Sequence, residues 1–303
     1  MKSAIKVLST AISLFLLGCH ETDRELRDIE REIAGFPDAL LSGPANHFKE
    51  AEELSRRIDS LGSQAERDAC FEKWAEALYG FDLTRIPFGE TLRFGWCVQL
   101  MFDFAVSMMY GDRAMSRTEE YDMRIRHLAW LRRQIQLLSP SRTYPAGVKM
   151  TWTLGGTGHW DVRREDYPKL RRYQSQMARY LRCAGNFDSS VEWCERTLDT
   201  DDYDFDPVAK AEVTAIRERL SAFLGRRLRT RKECDADTAD GRQRDFPYLV
   251  PTPDGLVECW TRAEVERAKR RPGSSTAETG GAGVRKANPS ASTESVDTVC
   301  PQP

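Results

Sequence analysis

Histidine is scarce in this 303-residue chain: there are four, at 20, 47, 127 and 159, and none stands close to another. His20, His47 and His127 have no candidate partner nearby in the sequence, and no Ser/His/Asp or Cys/His catalytic set is visible. The nucleophile elbow GxSxG is missing, and so is the dinucleotide fingerprint GxGxxG. Among eight cysteines there is no CxxC pair, which leaves a zinc cluster or a thioredoxin-type site without support. Neither sign of charge dominates. Setting aside Lys2 and Lys6 in the first eighteen residues leaves 43 basic against 47 acidic residues, a net charge of −4. A balance of that kind gives no long-range pull toward nucleic acid or an anionic membrane, so no nucleic-acid partner is expected. No cofactor is expected either.

What is present is ordinary globular composition, 40% hydrophobic and 30% charged, over a length sufficient for one large domain or two small ones. The first eighteen residues stand apart. Lys2 and Lys6 form a short positive region, and Val7 to Leu17 is an apolar stretch of the length of a secretory signal core. It is too short to span roughly 30 Å of hydrocarbon. Leu16-Leu17-Gly18-Cys19 resembles the lipobox of bacterial lipoproteins, in which the signal is cut before the cysteine and the cysteine is acylated. The resemblance implies a signal peptide over 1–18, a palmitoylated Cys19, and a home in the cell envelope. The outer membrane or periplasmic face then fits better than the cytoplasm. In that oxidising compartment the remaining cysteines become disulfide candidates: Cys183 with Cys194, Cys234 with Cys259, and Cys70 with Cys97, leaving Cys300 odd.

From Glu21 to about Lys232 the apolar residues recur at helical spacing. Thr22 to Glu25 reads as a capping box, followed by Leu26, Ile29 and Ile33. Phe48 to Leu61 and Gln64 to Tyr79 read as the next two helices, each stopped by a glycine. Leu92 to Tyr110 is the most apolar stretch after the leader, but Gln99 and Asp103 interrupt it and favour a core helix over a membrane span. Ser116 and Glu119 box the start of a helix that "SPSRTYPAG" ends. Val148 to Val162 reads as an irregular hairpin around glycines, and "FPYLVPTPDGLVECW" as a second hairpin turning at Pro253-Asp254-Gly255. Thr261 to Glu264 boxes a short last helix. Beyond Arg271 the composition shifts to Gly, Ser, Thr, Ala and Pro, which predicts a disordered tail. The predicted fold is mainly α, with helical regions over 19–140 and 166–270, an irregular connection over 141–165, and two small β-hairpins.

Met177 to Asp202 resembles most of one tetratricopeptide repeat. Ala178 matches the small residue of the first helix, Gly185-Asn186-Phe187 the turn, and Ser190 the small residue of the second helix. The resemblance implies an antiparallel helix pair hinged at Gly185 and a repeat-like superhelix as an alternative to a plain bundle. Thr197 and Gln174 depart from the family's pattern. A Cys183–Cys194 bridge would then tie the two helices together.

Three groups are candidates for chemistry. His159 and Asp161, in "GGTGHWD", alternate along an extended chain and can share a proton or a metal; with Asp103 they are the catalytic candidates for an envelope hydrolase acting on glycan or peptide. The plainer reading is a surface turn. Asp202, Asp204 and Asp206 have the 1, 3, 5 spacing of a calcium loop, but Pro207 and Val213 occupy the places of its glycine and its bidentate glutamate. The plainer reading there is an acidic loop capping a helix near Val208. Asp103, one turn from Gln99, is expected to be buried with an arginine. Arg226–Lys232 is either a solvated helix end or a contact for lipid phosphates. The expectation as a whole is a membrane-anchored lipoprotein whose helical body is a scaffold for an envelope protein or peptide partner. A hydrolase and a metal- or solute-binding lipoprotein are its rivals.

Overall fold

A computed structural model describes residues 24–43, 47–110, 116–152, 157–237 and 244–270. Cys19 and the leader before it, Thr22, Gly155, Gly156, Cys300 and the tail beyond 270 lie outside them. The chain is mainly helical with two antiparallel hairpins.

Helix α1 covers 24–42 and buries Ile29, Ile33, Phe36 and Leu40, one face at alternating spacings of four and three. α2 (Phe48–Asp59) and α3 (Gln64–Gly80) follow, the latter starting where the Ser63 hydroxyl accepts from the Glu66 amide. α4 is Thr91–Tyr110 and α5 Arg117–Leu138. The Ser116 box is complete, with the Glu119 carboxylate accepting from the Ser116 amide at 2.8 Å and the Ser116 hydroxyl from the Glu119 amide at 3.3 Å. α5 is the axis of the bundle and packs on α3, α4, α6 and α7. It therefore buries Met123, His127 and Trp130 as well as Tyr121, Leu128, Leu131, Ile135 and Leu138. Gln134, with no exposed surface, accepts from the Leu83 amide at 2.9 Å, and Trp130 Nε1 donates to Phe81 O at 2.9 Å. Both bonds pin the turn after α3 to this axis and leave its backbone groups satisfied.

The region after α5 departs from expectation first in α6. α6 is a single helix, Tyr167–Thr197, about 46 Å long. Gly185 and Asn186 sit within it, and the Asn186 side chain donates through Nδ2 to Arg182 O. The turn of the repeat-like hairpin is therefore not formed. The reason lies in the flanking pattern: Tyr173, Tyr180, Cys183, Phe187, Val191 and Cys194 keep one helical face buried straight through the glycine. Each large buried side chain there contributes about 1.5–3 kcal/mol, against a helical cost for one glycine of about 1 kcal/mol. A Cys183–Cys194 bridge is excluded as well, since eleven residues of helix separate the two by roughly 16 Å along the axis. Cys70 with Cys97 and Cys234 with Cys259 are not bridged either: no disulfide joins the described cysteines, all of them buried. Burial pushes the Cys97 thiol up to about 11 and those of Cys183 and Cys194 to about 12, so at neutral pH they are packed as protonated apolar groups.

α7 is Pro207–Leu224 and α8 Arg231–Ala236. β1 (Val148–Trp152) pairs with β2 (Gly158–Val162), and β3 (Tyr248–Thr252) with β4 (Gly255–Cys259), before the closing helix α9 (Arg262–Arg270). Trp152 Nε1 donates to Pro251 O at 3.0 Å and joins the two hairpins. Gly255 turns the second with φ +126°, and a side chain there would meet the carbonyl of Arg142 at 2.3 Å. A continuous apolar core runs from Ile29 in α1 to Leu256 in β4, and a small satellite forms around Val250, Cys259 and Ala268. No helix among the described residues is long and apolar enough to cross a membrane.

Candidate functional site

His159 and Asp161 stand exposed on the same side of β2, because alternate residues of a strand share a face. Their cross-strand neighbours are Thr151 and Lys149, and the Thr151 hydroxyl donates to the His159 carbonyl. A general base works within hydrogen-bond reach of its proton in a site that excludes water; this pair faces solvent on a two-stranded hairpin. Asp103 lies on the outer flank of α4, where its carboxylate accepts from Gln99 Nε2 at 2.8 Å. The buried arginine pair expected for Asp103 is thus replaced by a surface contact: with Leu92 and Gln99 it lies on the stripe of α4 that the bundle leaves uncovered.

The aspartate loop is spent on its own architecture. The Asp206 carboxylate caps α7, accepting from the amides of Val208 at 3.0 Å and Ala209 at 3.1 Å. Asp204 pairs with Lys210, and Asp202 with Arg231. Asp199 accepts from the amides of Asp201 and Arg231. The three carboxylates expected as calcium ligands point to three different partners. No group of three or more His, Cys, Asp or Glu among the described residues is arranged to hold a metal ion.

The basic run, in contrast, turns inward. Glu195 on α6 has no exposed surface, and its carboxylate accepts from Arg226 at 2.8 Å and from Arg229 at 2.9 and 2.7 Å, with the Arg229 amide adding a fourth bond at 3.1 Å. Arg226 also grips Asp245 with both arms, at 2.9 and 2.7 Å, and Arg229 bonds Asp237. Beside them the Arg244 guanidinium pairs with the buried Asp188 at 2.6 Å and lies 3.7 Å from the Tyr248 ring centroid. Burial alone would raise the Glu195 carboxyl; the hydrogen bonds from Arg229 and Arg226 overcome that and hold it below the usual carboxylate range. Arg226 shows the mirror case, where burial would lower the guanidinium and bonds to Asp245 and Glu195 raise it. A solvated helix end is therefore not what this run forms. It staples the segment after α7, and the strand that follows, onto α6.

A cleft of about 410 Å³ opens between α7 and residues 227–228, with Thr200, Thr214, Glu218 and Ser221 on its walls and Leu228 at its floor. Its Arg217 donates to three carbonyls, those of Leu198, Leu228 and Arg229, and so serves the fold.

No known family model, curated protein or solved structure matches this chain. What the molecule does must therefore be argued from its residues. His127 illustrates the difficulty. It is buried on α5 among Tyr79, Phe102 and Trp130, and burial, with the Arg124 charge, lowers its imidazole to about 4. Its Nδ1 has no hydrogen-bond partner among the described residues. A neutral, buried imidazole acts as a core residue. The Glu195 and Asp188 pairs escaped sequence reasoning because their arginines lie 31 to 56 residues further on. One local signal was available in the basic run: Thr230 and Glu233 form a complete capping box for α8.

Proposed function

We propose that this chain is a lipid-anchored protein of a bacterial envelope whose helical body serves as a scaffold for a protein or peptide partner. The observation that carries the reading is Leu16-Leu17-Gly18-Cys19 closing an apolar stretch that begins after Lys6. Each acyl methylene buried in a bilayer contributes about 0.8 kcal/mol, so two or more chains on Cys19 give stable attachment where one gives marginal binding. Four residues separate Cys19 from Arg24, the first described residue of α1, and the five steps between them reach at most about 18 Å. The body is thus held close to the surface that carries it. The scaffold half is supported by how the polar groups are used. Glu195, Asp188, Asp199 and Asp206 are engaged in holding helices and segments together, while His159 and Asp161 face water.

The test is metabolic labelling with a palmitate probe together with membrane fractionation. The natural chain should take up label and partition with membranes, and Cys19→Ser should lose both. Label and partitioning that survive Cys19→Ser would overturn the anchor. Cross-linking in intact envelopes addresses the scaffold, which requires a discrete larger species; a solitary chain under those conditions argues against it.

A further inference from the structure

The first two-thirds of α6 has an unusual charge pattern. Between Tyr167 and Phe187 it carries Lys169, Arg171, Arg172, Arg179 and Arg182 and not one acidic residue, in a chain whose net charge is negative. At 100° per residue, the four arginines at 171, 172, 179 and 182 fall within about a quarter to a third of the helix circumference. The helix dipole disfavours cations near an N-terminus, so helix stability does not account for placing Arg171 and Arg172 in its opening turns.

Arg179 at the centre of this face is buried, 2% exposed, and donates to the carbonyls of Ile86 at 2.8 Å and Pro87 at 2.6 Å. The Ser175 hydroxyl adds a bond to Phe88 O at 3.0 Å. These bonds fix the 86–90 loop across the helix. Arg172 lies against the Phe88 ring, 4.8 Å from its centroid, and the Arg182 guanidinium lies over Gly95. Leu92, between Phe88 and Gly95 along the chain, projects into solvent, 75% exposed. Of the acids nearby, Glu90 pairs with Arg93, Asp38 with Arg85, Asp166 with Lys169 and Glu165 with Arg163, and Asp103 on the Leu92 stripe of α4 bonds Gln99. No carboxylate among the described residues pairs with Arg171, Arg172 or Arg182, all three exposed. Net charge acts over long range, but within a screening length of about 8–10 Å a docked surface meets the local patch.

We propose that this arginine face, with Leu92 beside it, docks on an anionic phospholipid surface. The inference rests on the lipid-anchor reading for its biological setting, and its charge complementarity selects the occupant. Guanidinium groups take phosphate oxygens in pairs, and an exposed leucine among them has a place among acyl chains at the headgroup boundary. The geometry allows both attachments at once. Residues on either side of the 86–90 loop that this face holds reach the C-terminal end of α1, Arg93 donating to Leu40 O and Arg85 pairing with Asp38, and α1 extends about 28 Å back toward the tether.

The test uses the chain from His20 onward, which keeps every described residue but has neither the apolar leader nor the acylated cysteine. It is co-sedimented with vesicles of phosphatidylcholine alone or with a third phosphatidylglycerol, at about 0.05 M and about 0.5 M salt. Binding to the anionic vesicles at low salt, lost at high salt, is the expected result. Arg171→Gln/Arg172→Gln/Arg182→Gln should weaken it about fivefold per arginine, on the order of a hundredfold in all. Arg262→Gln/Arg267→Gln/Arg270→Gln removes the same charge from α9 and should leave more than half of the binding energy in place. Leu92→Ser should weaken binding without altering its salt dependence. Equal losses in the two triple variants, equal binding to neutral vesicles, or capture by acidic protein or nucleic acid with no vesicle binding would each overturn the proposal. Because Cys19 is missing from this chain, failure here leaves the anchor standing, and failure of palmitate labelling leaves this result unchanged.

Discussion

Replacing Gly185 by alanine separates a continuous α6 from a hinged pair of helices. In a helix interior, alanine is favoured over glycine by about 0.5–1 kcal/mol, because glycine gives up more backbone freedom on folding. A methyl group at Gly185 meets no atom within 4 Å, so it adds neither a clash nor a contact. Gly185→Ala should therefore stabilise the protein by about 0.5–1 kcal/mol, through propensity alone. For an ordered body of this size that is an increase in Tm of roughly 1–4 °C. At a hinge the same glycine would occupy left-handed backbone, and alanine would destabilise by at least a comparable amount. The assay is equilibrium urea unfolding followed by far-UV circular dichroism, with thermal melting as a second readout. A loss of stability of 0.5 kcal/mol or more would refute the continuous helix. Gly185→Pro removes a helical hydrogen bond and should cost the continuous helix about 3 kcal/mol.

Three further outcomes follow from the geometry. Gly147→Ala should be severely destabilising in the same urea assay, by more than 2 kcal/mol, since Gly147 has φ +84° and a side chain would meet the buried Asp166 carboxylate at 2.2 Å. Glu195→Ala strands Arg226 and Arg229 and should cost about 3 kcal/mol, near the low end for a buried pair because Asp245 and Asp237 remain; a loss below 1 kcal/mol would count against the staple. His127, lowered from 6.5 to about 4, is protonated more readily in the unfolded chain. Its contribution should therefore erode as pH falls from about 6.5 to 4, by up to about 3 kcal/mol, and His127→Gln should flatten that part of the stability profile.

Local features were legible in the residues and distant ones were not. The boxes at Ser116 and Thr261, the turn at Pro253-Asp254-Gly255, and the Asp206 cap on α7 each need only neighbours within a few positions, and all are formed. Gly185 misled because a glycine–asparagine–aromatic run has the chemistry of a turn, while the burial that overrides it comes from α5, some fifty residues earlier. Arg226 and Arg229 looked solvated for the same reason: their carboxylates are supplied by α6 and by the segment after α8.

By itself, then, the sequence determined the helical class, both hairpins and the starts of most helices, because each is written in short-range spacing and turn chemistry. The tertiary structure decided that α6 runs unbroken and that Cys183 and Cys194 stay apart. It also turned the basic run into a buried staple, left His159 in water and exposed an arginine face. Those outcomes depend on which surfaces exclude water together, a property of packed neighbours that no local pattern records.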